Sequence, residues 1–130
     1  MGLTTRLLLI GLAGALGTLA RYGISVWAAR ALGTGFPFGT LFVNLIGCFL
    51  ITAITHVALT TTLVPQTLRL MLTVGFLGGL TTYSSFDLET TNLLRERDWG
   101  TAFWNVSLTL VGCFAAGLLG LALARWLVGE

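Results

Sequence analysis

The residues best suited to chemistry in this sequence are uncharged hydrogen-bond donors inside strongly apolar segments. Thr40 and Asn44 are four residues apart, and so are Asn105 and Thr109, which places each pair on one face of a helix. A polar group in hydrocarbon costs free energy unless it finds a partner, so each group could simply bond to a neighbouring helix. Two asparagines within apolar segments, together with a cluster of hydroxyls, favour instead a hydrated polar track that a small ion could follow.

A further group of donors lies in the stretch GFLGGLTTYSSF, from Gly75 to Phe86. Gly78, Gly79 and the run of β-branched and hydroxyl residues after them form helices poorly. We therefore expect the helix to unwind here and to free backbone carbonyl groups at membrane depth. Broken membrane helices commonly use such carbonyls to hold a cation, and Na⁺ is the simplest candidate. The break would also redirect Tyr83 and the phenylalanine after it, whose ring edges carry positive character and could attract an anion.

The composition indicates an integral membrane protein. Of the 130 residues, 55% are hydrophobic and only 9% are charged, whereas soluble domains carry roughly 25% charged residues. Too little polar surface remains to coat a globule in water. The net charge is +2 and no basic cluster exists, which argues against a nucleic-acid partner.

Four segments are apolar enough and long enough to cross a membrane, at about residues 7–32, 39–63, 67–94 and 101–128. The segments between them carry the Pro, Gly and charged residues of short loops. We therefore expect an all-α fold, a single four-helix transmembrane domain over residues 1–130, with the third helix broken. Four helices are few to enclose a conduction path, so an oligomer is expected.

The distribution of arginine gives almost no orientation bias, and the chain has no lysine. With four spans, three arginines lie on one side of the membrane and three or four on the other: Arg6, Arg69 and Arg125 against Arg30, Arg95, Arg97 and, near that side, Arg21. Cytoplasmic loops usually carry an excess of positive residues. The balance is either chance in a short protein or the mark of a chain that inserts both ways and pairs as an antiparallel dimer.

Several classes of protein are disfavoured. The sequence contains no nucleophile elbow, HExxH motif, Walker loop or carboxylate pair within a span, so we expect no enzyme. Proton-coupled exporters usually embed an acidic residue in mid-membrane, and the first, second and fourth spans contain none. Cys48 and Cys113 lie in apolar segments, where packing is favoured over a disulfide or a metal site.

Three motifs resemble those of the small bacterial fluoride channels, the Fluc family, and they occur in the family's order. They are GALGTLARY at the end of the first helix, FGTLFVNLIGCF in the second and GFLGGLTTYSSF in the third. The resemblance covers essentially the whole chain. It implies a multi-pass protein of the bacterial cytoplasmic (inner) membrane, a dual-topology antiparallel homodimer with two pathways. It also implies passive export of fluoride, which would reduce fluoride toxicity.

The same resemblance implies roles for particular residues. A Na⁺ ion at the centre of the dimer would be held by the backbone carbonyls of Gly78 and Thr81. Six residues match pathway or entrance positions of the family: Arg21, Thr40, Asn44, Tyr83, Phe86 and Glu89. Among them Arg21, which matches the arginine that ends the family's first helix, could draw anions toward the entrance.

The chain departs from the family pattern at two places. Tyr83 stands where the family usually has Phe, so its hydroxyl needs a partner or could itself donate to fluoride. The polar track of the family's fourth helix often begins with Tyr and continues with Ser, and the positions that align here are Asn105 and Thr109.

The sequence therefore predicts a fluoride-selective channel in which neutral donors replace the water around the ion. A fixed full charge would bind the ion too firmly, because conduction needs release as well as entry. Two alternatives remain on the residues alone. One is a non-transporting membrane scaffold or assembly subunit, in which the polar residues only join helices, and the other is an exporter of small cations.

Overall fold

The computed structural model describes residues Met1–Glu130 and contains only helices and their connections. In chain order these are α1 (Leu3–Leu32), α2 (Phe38–Thr60), α3 (Gln66–Leu70), a π-helix (Met71–Leu77), α4 (Gly78–Leu80), α5 (Tyr83–Arg95) and α6 (Trp99–Val128). Helices α1, α2 and α6 are each long and apolar enough to cross a membrane. The prediction of an all-helical, multi-pass membrane protein is confirmed at this level.

The third apolar segment is the interrupted one. Helix α4 ends at Leu80. Thr81, which follows it, has an extended backbone (φ −85°, ψ 154°), and Thr82 is extended as well (φ −154°, ψ 119°) before α5 begins. The sequence predicts a break in this stretch, and the structure has one, but it lies two residues later than the glycines. Gly78 and Gly79, expected to unwind, remain helical.

Close packing against α1 explains why Gly79 is helical. A Cβ atom at Gly79 would collide with the carbonyl oxygen of Gly14, and one at Gly17 would collide with that of Phe76. Glycine is therefore required here because two backbones touch, as small residues allow in membrane helices. Ala13 belongs to the same contact, since a Cβ at Gly75 would approach the Ala13 side chain to 2.8 Å.

A second close contact joins α2 to α6. The hydroxyl of Thr52 donates a hydrogen bond to the carbonyl oxygen of Gly117 at 2.8 Å. A Cβ at Gly120 would collide with the carbonyl of Phe49. The small residues of the last span thus allow two long helices to approach closely.

One subunit buries little of itself. Only 18 of 130 residues are buried, and a small core forms where α2 meets the broken helix, around Val43, Leu77 and Leu80. Large apolar side chains elsewhere point outward, such as Leu19 on α1 and Phe114 on α6, which are 66% and 77% exposed. These faces need lipid or another chain against them.

Candidate functional site

The break in the third span is held by one side chain. The amide nitrogen of Asn44 donates to the carbonyl oxygen of Thr82 at 3.0 Å, and the backbone N–H of Thr82 donates to the Asn44 oxygen at 2.9 Å. An extended residue between two helices leaves both backbone groups without helical partners, and each would be costly if unpaired in a membrane. Asparagine suits this task because its amide offers a donor and an acceptor side by side. We call this pair of bonds the Asn44 clamp.

The hydroxyl cluster closes the two helix ends beside the break. Thr81 donates from its hydroxyl to the Leu77 carbonyl at 2.9 Å, at the end of the first half. The Thr82 hydroxyl accepts from the Ser85 N–H at 3.1 Å and also contacts the Ser85 hydroxyl at 3.0 Å. Thr82 is therefore the N-cap of α5, an interaction typically worth about 1 kcal/mol.

Carbonyl oxygens at the break are available to a cation. The carbonyls of Gly78 and Thr81 accept no hydrogen bond from the chain. Gly78 is exposed, and a Cβ there would meet nothing closer than the Thr73 carbonyl at 3.9 Å. Oxygen atoms, backbone carbonyls among them, are the ligands that hard cations prefer. The residues expected to hold Na⁺ thus have the right chemistry for it.

The two aromatic residues after the break are in direct contact. The rings of Tyr83 and Phe86 are 5.4 Å apart between centroids and inclined at 70°, an edge-to-face arrangement. Tyr83 is 73% exposed, whereas Phe86 is 6% exposed. In a single subunit only the tyrosine is open to an ion or to a second chain.

A cavity of about 340 Å³ lies against the break and brings several predicted residues together. Its lining includes Asn44, Thr82, Tyr83 and Thr109, and no charged side chain contributes to it. The hydroxyl of Thr109 is buried and has no hydrogen-bond partner. This space, which we call the break cavity, is therefore uncharged, and one residue of its wall carries a buried hydroxyl without a partner.

Asn105 lies elsewhere. It is 1% exposed and donates to the Thr90 hydroxyl at 3.0 Å, and Thr90 in turn donates to the carbonyl of Phe86 at 2.7 Å. Asn105 does not line the break cavity. Its amide links α6 to the helix that carries the two aromatic residues.

Thr40 and Glu89 meet in a second cavity of about 350 Å³, where α2 begins and α5 ends. The Thr40 hydroxyl donates to one carboxylate oxygen of Glu89 at 2.6 Å, and the other oxygen is buried without a partner. We call this space the Glu89 cavity. From Thr82 to Glu89 the axis of α5 rises about 10 Å, at 1.5 Å per residue, so the two cavities are about two helical turns apart.

Arg21 lines neither cavity. Its Nε donates to the carbonyl oxygen of Gly79 at 3.0 Å, just before the break. The structure thus gives this arginine a contact with the broken helix, and its attraction of anions toward an entrance stays a prediction.

Sequence reasoning gave no individual role to two residues of this site. Thr82 supplies both backbone groups of the clamp, and Thr90 joins Asn105 to Phe86. The spacing of Thr82 and Ser85 is a recognisable N-cap signal. Nothing local marks Thr90, because its partner is on another helix.

Known proteins give an independent comparison. The family model described as CrcB-like protein, Camphor Resistance (CrcB), matches residues 8–121. Three similar curated proteins carry the name fluoride-specific ion channel FluC. They come from Sorangium cellulosum (52% identical over 119 residues, 92% of this chain and 94% of the relative), Geobacter metallireducens (51% over 118 residues, 91% and 95%) and Anaeromyxobacter dehalogenans (48% over 124 residues, 95% and 98%).

Proposed function

Because this chain belongs to the CrcB-like family, we propose that it is a fluoride-specific ion channel. Its relatives of nearly equal length are named as such channels. The observation that supports this function most directly is the break cavity. Its lining contains polar residues and an exposed aromatic ring, and no charged side chain. Neither a scaffold nor a cation exporter accounts for this lining as well.

Fluoride is small and strongly hydrated, so a pore must offer donors in place of water. The Thr109 hydroxyl has no other partner, and the Tyr83 ring is exposed at the cavity wall and lies edge-to-face with Phe86. Ion selectivity of this kind needs binding that is favourable at entry and weak enough for release. Neutral groups meet both conditions better than a buried arginine would.

We propose that the pathway runs along α5 from the break cavity to the Glu89 cavity, past Phe86. At its far end the Thr40 hydroxyl is held by the carboxylate of Glu89. An arriving anion competes with that carboxylate for one donor, and two like charges repel each other. Glu89 therefore favours the release of fluoride over its retention.

Asn44 acts in this scheme as a positioning residue. Both polar atoms of its amide are bonded to Thr82. Its effect on fluoride is thus to hold the break open and to aim the start of α5, which carries Tyr83. Asn105 supports the same helix from the other side, through Thr90.

The functional unit is an antiparallel, dual-topology homodimer in the cytoplasmic (inner) membrane of a bacterium. Two observations support this proposal. The subunit leaves large apolar faces uncovered, and the arginine residues give the chain almost no orientation bias. Passive flow of fluoride through such a dimer would lower its concentration in the cell and so its toxicity.

A Na⁺ ion at the dimer interface would be held by the carbonyl oxygens of Gly78 and Thr81. Its support is that both oxygens lack hydrogen bonds within the chain and that Gly78 is exposed. When bound, the ion would supply a positive charge that ties the two broken helices together. Arg21 fixes the adjacent Gly79 carbonyl, so the chain itself positions the carbonyls around it.

The direct test is ion efflux from lipid vesicles that contain the purified protein. We expect fluoride to leave rapidly, as followed by a fluoride electrode, while chloride in matched vesicles is retained. Vesicles without protein are the control. Absence of fluoride efflux, or chloride efflux at the same rate, would contradict the proposal.

A further inference from the structure

The two cysteines of the chain lie on α2 and α6, where these helices are packed together. Cys48 and Cys113 are both free thiols. The helices approach closely at this level, since a Cβ at Gly117 would lie 3.7 Å from the Cys48 carbonyl oxygen. Two packed helices thus place both cysteines beside the same two cavities.

Space adjoins the thiols on both sides. They line the break cavity and also a third cavity of about 330 Å³. Besides the thiols, Thr52 is the only polar side chain that lines this third cavity, and its hydroxyl is already bonded to the Gly117 carbonyl. A ligand that enters here therefore meets sulfur and hydrocarbon, with no uncommitted side-chain oxygen.

We propose that Cys48 and Cys113 together bind one soft, two-coordinate metal ion, with Hg²⁺ as the probe, and that this closes the fluoride pathway. Thiolate ligands select soft metals, and an apolar surrounding disfavours hard ones. Two S–H bonds break, two S–Hg bonds form, and both protons leave to water without oxidation or reduction. The resulting bis-thiolate complex is neutral, so its burial avoids the cost of an isolated charge.

The metal would act on flux through its position. It would join α2, which carries Asn44, to α6, which carries Thr109, and it would occupy part of the wall that those residues share. This second half of the proposal rests on the proposed function, whereas metal binding does not. Binding and flux are therefore measured separately.

Binding is measured on the full chain with one equivalent of HgCl₂. Intact mass under denaturing conditions without added thiol should show one mercury per single chain, with the loss of two protons. Cys48→Ser and Cys113→Ser each keep one thiol, so each should lose only one proton on binding mercury and retain one chloride on the metal. A mild competing thiol should then remove the mercury from either single variant. The double variant should bind none.

Flux is measured in vesicles, with each protein compared with its own rate before metal is added. Fluoride efflux of the unmodified protein should fall at least about tenfold and recover with dithiothreitol, while the double variant should be unaffected. Mercury that bridges two chains, or equal inhibition of the double variant, would overturn the proposal. Bound mercury with unchanged flux would overturn its second half. No fluoride flux before metal is added would refute the proposed function, while the mass measurement would still decide the metal site.

Discussion

Loss of the Asn44 clamp should reduce both stability and fluoride flux, because its two bonds go to backbone groups that have no substitute partner. Asn44→Leu keeps a side chain of similar size and removes both bonds. The N–H and the carbonyl of Thr82 are then left unpaired within the membrane. Extended backbone at this point excludes the helical partners that would otherwise accept and donate.

The magnitude follows from the number of groups left unpaired. A buried donor or acceptor without a partner costs about 1–3 kcal/mol, so loss of the clamp should lower the free energy of unfolding by about 2–6 kcal/mol. If the break rearranges instead, the start of α5 and Tyr83 move with it. Fluoride efflux should then fall by more than about tenfold, which corresponds to about 1.4 kcal/mol.

Asn105→Leu is the matched control. Asn105 is buried like Asn44 but makes a single bond, to the Thr90 hydroxyl. That hydroxyl keeps its bond to the Phe86 carbonyl, so the substitution leaves no backbone group unpaired. We expect a loss of about 1 kcal/mol.

Unfolding of both variants and of the unmodified protein can be followed by denaturant titration in the same detergent, alongside fluoride efflux from vesicles. The reasoning fails if Asn44→Leu is no less stable than Asn105→Leu. It also fails if Asn44→Leu conducts fluoride at the unmodified rate.

Three other predictions concern single contacts. Tyr83→Phe should leave stability unchanged, because the Tyr83 hydroxyl has no partner in the chain, and should keep fluoride efflux within about twofold because the ring edge remains; a large loss would show that the hydroxyl itself contacts the ion. Gly79→Ala should lower the free energy of unfolding by at least about 2 kcal/mol, because the new Cβ meets the backbone of α1. Gly11→Ala is the control: nothing lies within 4 Å of its new Cβ, so the same denaturant titration should show no loss. The hydrogen bonds that Asp98 accepts at the start of α6 hold its pKa below the ordinary value. Their contribution to stability is therefore complete above the ordinary pKa and is lost as the pH falls through the lowered pKa. Melting temperatures measured from about pH 6 to 2 should show this loss in the unmodified protein and not in Asp98→Asn.

Sequence reasoning located the apolar segments and the interrupted one because both are properties of local composition. Hydrophobic length predicts a span, and the hydroxyl-rich stretch before α5 predicts a break. The exact residues of the break were not predictable in this way. Gly79 has the local preferences of an unwound residue, yet it is helical because α1 lies against it. Tertiary packing overrides a weak local preference.

The π-helix at Met71–Leu77 was not predicted at all. Such segments are rare, and they often mark functional sites. Nothing in MLTVGFL departs from an ordinary apolar helix. The segment packs against α1, a contact that no local pattern encodes.

The positions of the two asparagines illustrate a further limit. Helical spacing correctly places Asn44 with Thr40 and Asn105 with Thr109 on their faces, but it does not say what each amide meets. Asn44 binds a backbone 38 residues away, and Asn105 binds a hydroxyl 15 residues away. Residues of one face therefore reach different partners and, for Thr40 and Asn44, different cavities.

The order of the chain gives the Asn44 clamp a consequence for biosynthesis. Helix α2 leaves the ribosome before the third segment does, so the amide of Asn44 is already in the membrane when Thr82 arrives. A nascent third segment can pass through the insertion machinery as an unbroken helix with every peptide group satisfied. The break would then form only when the third segment packs against α2 of the same chain. The ion path would therefore first appear as the subunit folds within the membrane.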